Sequence, residues 1–148
     1  DAAPRIEQNA ILLDTAFAFV GETADLDPSS DAAARQLAGF LASKAHLSRV
    51  RIEGHVAAPE RSADAAQQLS EARARAVAAK LVGLGVDCVR LLPVGFGRTK
   101  PVVAPVDATG NTRVEIKVAA LRGRSIGGMP EDSGGRVAGD ACAATPRN

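Results

Sequence analysis

Two periodicities alternate along this chain, and their order limits the fold more than any other feature of the sequence. Residues 47–56, LSRVRIEGHV, place Val50 and Ile52 between charged residues, with the period of two expected of a strand with one solvated face. Residues 67–85, QQLSEARARAVAAKLVGLG, follow the helical period instead. We therefore predict an α/β fold, a two-layer sandwich with one mixed four-stranded sheet and two main helices on one face.

Three further strands are predicted from shorter patterns. Residues 12–20, LLDTAFAFV, are apolar with alternating phenylalanines and predict the first strand or a pair of short ones. Residues 88–97, CVRLLPVGFG, and residues 113–121, RVEIKVAAL, predict the third and fourth. Residues 98–112, which contain two prolines, are expected to be a long loop.

The first helix is expected to begin shortly after Pro28. Ser29, Ser30 and Asp31 are candidate N-cap residues, and the helical pattern continues to about Lys44. The apolar residues expected to face the core are Leu37, Phe40 and Leu41.

The second helix carries a cation in its apolar stripe. Arg73 lies four residues after Leu69 and four before Val77, whereas Ser70 is read as a surface polar residue. Gly85 is expected to end the helix as a C-cap glycine. The predicted stripe consists of Leu69, Ala72, Ala76, Val77, Leu81 and Leu84. An arginine in such a stripe needs a partner.

Composition excludes several classes of function. The 148 residues, 46% hydrophobic and 24% charged, suit one globular domain. Only 3% are aromatic and the net charge is +1, so neither a base-stacking platform nor a basic footprint for nucleic acid is expected. No apolar run approaches the roughly 18 residues of a membrane span, so membrane attachment is expected only through missing parts of a parent protein. The start, DAAPRIEQ, is typical of a mature or trimmed chain.

The two cysteines predict a covalent link between the tail and the domain. Residues 1–121 are expected to form the domain and residues 122–148 a Gly-rich tail, tied back by a Cys88–Cys142 disulfide. Such a bond implies an oxidising compartment and stabilises by roughly 3–4 kcal/mol in the chain-entropy model. The alternative is two reduced thiols. His55, which ends a strand, is expected to be structural, and no zinc site or cofactor is predicted.

Five motifs in order carry a resemblance to a known family. They are FAFVGETADLDPSS, VRIEGHVA, LSEARARAV, LLPVGFGRTKPV and NTRVEIKV. Over roughly residues 11–118 the chain resembles the OmpA-like domain of bacterial envelope proteins, whose pattern includes GHTD, N..LS..RA and NRRVEI. The resemblance implies a non-catalytic module that binds the diaminopimelate of a peptidoglycan stem peptide.

The resemblance also implies a set of ligand-binding residues. Arg73 matches the family arginine that binds a carboxylate of diaminopimelate. Asn111 and Arg113 match the basic segment that completes the pocket. Val56 and Ala57 stand where the family has the threonine and aspartate of GHTD, the aspartate being the residue that faces the amino group.

The chain departs from this pattern at four positions, of which the first is Val56 in place of the threonine of GHTD. Ala57 replaces the aspartate, Ala66 replaces the asparagine before LS, and Thr112 replaces one arginine of NRR. Losing an acceptor for a buried ammonium typically costs about 1.5–3 kcal/mol. Glu60 and Asp64, in the loop before the second helix, are candidates to replace the missing acid.

Two functions remain open at this stage. The first is a peptidoglycan-binding module that anchors a periplasmic or other cell-envelope protein; the second is a scaffold for protein partners in an envelope complex of secretion or motility, with wall binding lost. For Arg73 the structural alternative is an ion pair with Glu53, Asp64 or Glu115. For Arg113 it is a solvated strand end. An enzyme is not predicted, because no triad, paired carboxylates or metal set occurs at suitable spacing.

Overall fold

The fold combines two helices with one mixed sheet, as seen in a computed structural model that describes residues 3–57, 62–102, 109–126 and 134–143. The helices are α1 (Ser30–Ser43) and α2 (Ala63–Gly83). The strands are β1 (Arg5–Glu7), β2 (Ala10–Leu12), β3 (Leu47–His55), β4 (Leu91–Gly95), β5 (Arg113–Leu121), β6 (Arg124–Ser125) and β7 (Arg136–Val137). Within the described ranges no helix has the length and apolarity needed to cross a membrane.

The sheet has the order β1-β2-β5-β3-β4-β7, with β6 paired to β5. Strands β3 and β4 run parallel and are joined through α2, whereas the other pairs are antiparallel. In the centre of the sheet Ile52 lies between Pro93 and Ile116. The predicted fold class is confirmed: β3, β4 and β5 correspond to three of the four expected strands, and β2 shares only Leu12 with the remaining one. Three further short strands, β1, β6 and β7, extend the sheet.

The core lies between the helices and one face of the sheet. Helix α1 contributes Leu37 and Leu41, which are fully buried, whereas Phe40 lies half-buried at the margin, with the Lys44 ammonium 5.8 Å from its ring centroid. The buried partners in α2 and the sheet include Val77, Leu81, Val50, Ile52, Ile116 and Val118. Burial of these side chains is the main force that holds both helices on one face.

Helix α2 ends as the sequence predicts. Gly85 has a φ of +101°, and its N–H donates to the Val82 carbonyl at 2.9 Å. The N–H of Val86 donates to the Leu81 carbonyl at 3.0 Å. These two bonds form a Schellman motif, whose left-handed residue favours glycine.

The first predicted strand, residues 12–20, is not part of the sheet beyond its first residue, and its far end forms only an isolated antiparallel bridge between Phe19 and Leu26. Before that bridge, side chains of α1 satisfy backbone groups of the segment. The Asp14 N–H donates to Gln36 Oε1 at 2.8 Å, and the Ala18 N–H donates to Ser30 Oγ at 2.8 Å. Ser30 Oγ in turn donates to the Ala18 carbonyl at 2.9 Å, so this segment leaves the sheet and packs against α1.

The third predicted strand begins later than expected. Residues Cys88–Arg90 form a 3₁₀ turn, and β4 starts at Leu91. The Asp87 carboxylate accepts a hydrogen bond from the Val89 N–H at 3.2 Å, which favours the turn over an extended strand.

The described part of the tail is attached to the sheet and to the domain. In β7, Val137 pairs with Val94, and the N–H of Ala138 donates to the Pro93 carbonyl at 2.8 Å. A Cys88–Cys142 disulfide with an S–S distance of 2.01 Å confirms the predicted bond. The division at residue 121 into domain and tail stays a prediction.

Candidate ligand-binding site

Small residues form most of the buried face of α2. The buried residues are Ala66, Ser70, Arg73, Ala74, Val77, Ala78 and Leu81. The buried face is therefore rotated around the helix axis relative to the predicted stripe. Four residues of that stripe are only half-buried: Leu69, Ala72, Ala76 and Leu84. The cause is a direct approach of helix and sheet: a Cβ on Gly54 would lie 2.1 Å from the Ser70 carbonyl oxygen. Large side chains do not fit between the two backbones.

Ser70 joins this face of α2 to the loop after β4. It is fully buried, and its hydroxyl donates to the Gln67 carbonyl at 2.8 Å and accepts from the Gly97 N–H at 2.9 Å. The reading of Ser70 as a surface residue is wrong. A signal was present in the sequence, since the glycines at positions 54 and 95 mark the close approach of another backbone.

Arg73 is buried by the loop that follows the first phenylalanines. Its side chain donates from Nε to the Thr23 carbonyl at 2.8 Å and from Nη2 to the Gly21 carbonyl at 3.1 Å. The guanidinium carbon lies 4.6 Å from the centroid of the Phe19 ring, and the residue is only 7% exposed. Carbonyl oxygens and a phenyl ring thus hold the cation in a fixed orientation.

A cavity of about 270 Å³ opens beside this arginine. Its described lining consists of Phe17, Ala18, Phe19, Gly21, Arg73, Thr112 and Arg113. The fold therefore brings together two arginines that are 40 positions apart in the sequence. A cavity with guanidinium groups in its wall is suited to a carboxylate or another planar anion.

Arg113 is not a solvated strand end. Its Nε donates to the Glu115 carboxylate, Nη1 to the Asn111 carbonyl at 2.8 Å and Nη2 to the Lys100 carbonyl at 3.0 Å. Asn111 is 3% exposed, and its Oδ1 accepts from the Val102 N–H at 2.5 Å. Asn111 thus ties down the loop, while Arg113 reaches the cavity.

Val56 and Ala57 are not among the described residues that line the cavity. Val56 is buried against Ala66 and Leu69 and is absent from the described lining of the cavity. Ala57 lies next to the lining: its N–H donates to Thr112 Oγ1 at 2.8 Å, and the same hydroxyl donates to its carbonyl at 3.3 Å.

The two acids proposed as replacements do not supply a described carboxylate to the cavity. Asp64 is exposed in the first turn of α2 and accepts from Gln68 Nε2 at 3.0 Å. Glu60 lies outside the described residues.

The opposite face of the sheet carries a cluster of charges. One potential metal-ligand group occurs there among the described residues: Glu53, His55 and Glu115, with ligand atoms within 4.8 Å of one another. Glu53 pairs with Arg51 Nη2 at 3.0 Å, and Lys117 Nζ lies 3.4 Å from Glu115. Both carboxylates are already paired with cations, which disfavours binding of a metal ion. Their partners are residues other than Arg73, so the alternative ion pairs of Arg73 with Glu53 or Glu115 are not seen among the described residues.

The same cluster sets the ionisation of Glu115. Burial raises the pKa of this carboxyl. The hydrogen bond and the charge of Arg113 outweigh that effect, so the pKa lies below its ordinary value. His55 stacks on Phe96 with 5.0 Å between ring centroids, and its Nε2 lies 3.4 Å from Glu53. His55 is therefore a packed strand residue, as expected.

Comparison with known proteins gives the same assignment of fold and family. Solved structures that match include the OmpA-like domain of FopA1 from Francisella tularensis, with 27% identity, a TM-score of 0.64, and 83% of this chain and 81% of that chain covered. The cell wall anchor of the T6SS from Pseudomonas aeruginosa has 27% identity, a TM-score of 0.57, and coverage of 69% and 74%. The peptidoglycan-associated lipoprotein from Burkholderia pseudomallei has 24% identity, a TM-score of 0.55, and coverage of 70% and 85%. No match was found among curated protein sequences.

The family itself follows from a match that covers most of the chain. The model of the OmpA family matches residues 18–123, a range that contains α1, α2, β3, β4, β5 and every described residue of the cavity lining except Phe17. The chain is a member of the OmpA family.

Proposed function

We propose that this domain is a non-catalytic peptidoglycan-binding module that anchors an envelope protein to the cell wall through a stem-peptide carboxylate. The observation that carries the proposal is the oriented guanidinium of Arg73 in the wall of a cavity. One similar structure at 27% identity is a cell wall anchor, which supports attachment to the wall, and the peptidoglycan-associated lipoprotein shares the fold.

Each proposed binding residue has a defined part. Arg73 binds the carboxylate, and Arg113 contributes a second guanidinium from the start of β5. Asn111 positions the loop through its bond to Val102, and Ala57 positions Thr112. Val56 acts only by packing under α2.

We place this function in the periplasm or elsewhere in the bacterial cell envelope. The Cys88–Cys142 disulfide supports the placement, because such bonds form and persist in oxidising compartments. Diaminopimelate of the wall is the proposed partner.

The test is co-sedimentation of the full chain with purified diaminopimelate-type peptidoglycan at physiological salt, where surface charge attraction is screened beyond about 8 Å. The variant is Arg73→Gln. Its matched control is Arg75→Gln, which removes the same charge from an exposed position of the same helix. Thermal unfolding of each variant establishes that it is folded.

We expect the parent chain and Arg75→Gln to sediment with the wall and Arg73→Gln to stay in the supernatant. If all three remain in the supernatant while folded, wall binding is refuted. The domain is then a scaffold for envelope proteins, and its partners are to be sought by cross-linking.

A further inference from the structure

The charges in the described part of the cavity wall are of one sign. The described lining contains two guanidinium groups, one hydroxyl, two phenyl rings and two small residues, with no carboxylate. Glu22, located between the two residues whose carbonyl groups hold Arg73, is exposed and is not in the described lining. These described residues attract an anion and offer no acidic partner to an ammonium group beside that anion.

The hydrogen-bond partners described for Thr112 and Arg73 are neutral. The hydroxyl of Thr112 bonds to both the N–H and the carbonyl of Ala57, so these groups satisfy one another. The carbonyls of Gly21 and Thr23 accept from Arg73 and are directed toward its cation. A ligand ammonium in this region therefore exchanges its hydration shell for neutral groups that already have partners.

The acidic residues Glu53 and Glu115 of the sheet are paired with cations of the protein. Glu115 accepts from Arg113 Nε and lies 3.4 Å from Lys117 Nζ. Glu53 pairs with Arg51 at 3.0 Å and is 5% exposed. Both carboxylates are engaged before a ligand arrives, which removes them as acceptors for a ligand cation.

We propose that the Arg73 cavity selects a carboxylate whose neighbouring nitrogen is acylated, in preference to a carboxylate with a free ammonium group beside it. The inference rests on the proposed wall binding and specifies its ligand. An acylated nitrogen is an uncharged amide, as at a cross-link between two wall peptides. The cavity would therefore bind the wall at cross-linked positions, where the carboxylate is retained and the adjacent ammonium has become an amide.

The experiment compares three preparations of one peptidoglycan sample. The first is untreated. In the second, free amino groups are acetylated, which turns ammonium groups into amides and leaves the carboxylates. In the third, carboxyl groups are amidated. The full chain is titrated against each at physiological salt, and the Arg73→Gln signal on the same wall is subtracted, because acetylation makes the wall more negative.

We expect the specifically bound fraction on acetylated wall to exceed that on untreated wall, and the bound fraction on amidated wall to fall to the Arg73→Gln level. Specific binding to acetylated wall that is equal to or below that on untreated wall overturns the inference, since a free ammonium is then tolerated or required. Binding to untreated wall in that same series leaves the proposed function intact. No specific binding to untreated wall refutes the proposed function itself and the inference with it.

Discussion

The disulfide gives a prediction whose magnitude follows from the structure. Cys88 and Cys142 are 54 positions apart, so the bond closes a loop of about 55 residues. In the chain-entropy model such a loop lowers the entropy of the unfolded chain by about 14 cal/mol/K, which is about 4 kcal/mol at 25 °C. We expect Cys88→Ser/Cys142→Ser to lose about that much free energy of unfolding.

The assay is equilibrium unfolding in urea, followed by far-ultraviolet circular dichroism. With a slope of about 1–3 kcal/mol/M, a loss of 4 kcal/mol lowers the midpoint by at least about 1 M. Adding a reductant to the parent chain should reproduce the shift. The double variant is the matched control, because a reductant has no bond to cleave in it and should leave its midpoint unchanged.

A free-energy difference below about 1 kcal/mol would refute this reasoning. The attachment of the tail would then depend on noncovalent contacts that survive without the bond. The relevant contacts are the Arg136–Glu71 ion pair at 2.6 Å and the hydrogen bond from the Ala138 N–H to the Pro93 carbonyl at 2.8 Å. An Arg136→Gln variant of the reduced chain would measure the first of them.

Three further predictions concern packing and pH. Gly54→Ala should cost about 3 kcal/mol or more in urea unfolding, because its Cβ meets the carbonyl of Ser70 at 2.1 Å; Gly39→Ala, with nothing within 4 Å in α1, should instead stabilise by about 0.5–1 kcal/mol, and equal costs would contradict the packing account. Ser70→Ala leaves the buried N–H of Gly97 without its acceptor and should cost about 1–3 kcal/mol in the same measurement, whereas no change would mean that this hydrogen bond adds nothing. Burial raises the pKa of Glu115, but the hydrogen bond and charge of a neighbouring arginine hold it below the ordinary value. Its carboxylate therefore stabilises the fold fully above about pH 4.3, and the contribution is lost as the pH falls through the lower pKa of the folded state. In Glu115→Gln the free energy of unfolding should decline less steeply below that pH, and an unchanged slope would contradict the assignment.

The sequence predicts the central elements of the fold because each has a complete local signal. The alternation in residues 47–56 corresponds to β3, and the left-handed Gly85 ends α2 where expected. The segment at residues 12–20 carries an equally good strand pattern, yet its backbone bonds go to Gln36 and Ser30. Gln36 lies 22 positions after Asp14, and Ser30 lies 12 positions after Ala18. A local hydrophobic pattern cannot predict such distant partners.

The candidate site was predictable only in part. The position of Arg73 in a stripe of α2 indicates burial, and the structure agrees. Its two carbonyl partners come from a loop 50 and 52 positions away and have no side-chain signal at all. The orientation of Arg113 has the same difficulty, because two of its three partners are the backbone carbonyls of Lys100 and Asn111.

The close contact between Gly54 and Ser70 makes the buried face of α2 hard to predict from hydrophobic periodicity, and it also fixes the geometry of the site. Ser70 packs its carbonyl against Gly54 and binds Gly97 with its hydroxyl, so one turn of α2 is held against the sheet by backbone and short groups. Arg73 follows within one helical turn on the same buried face. Short groups have few rotamers, so little conformational freedom remains to be lost when a ligand binds. The loop carbonyls of Thr23 and Gly21 then orient the guanidinium before any ligand is present. A preorganised cation retains more of its interaction energy with an anion, which supports the proposed binding of a carboxylate in a cavity with few polar side chains.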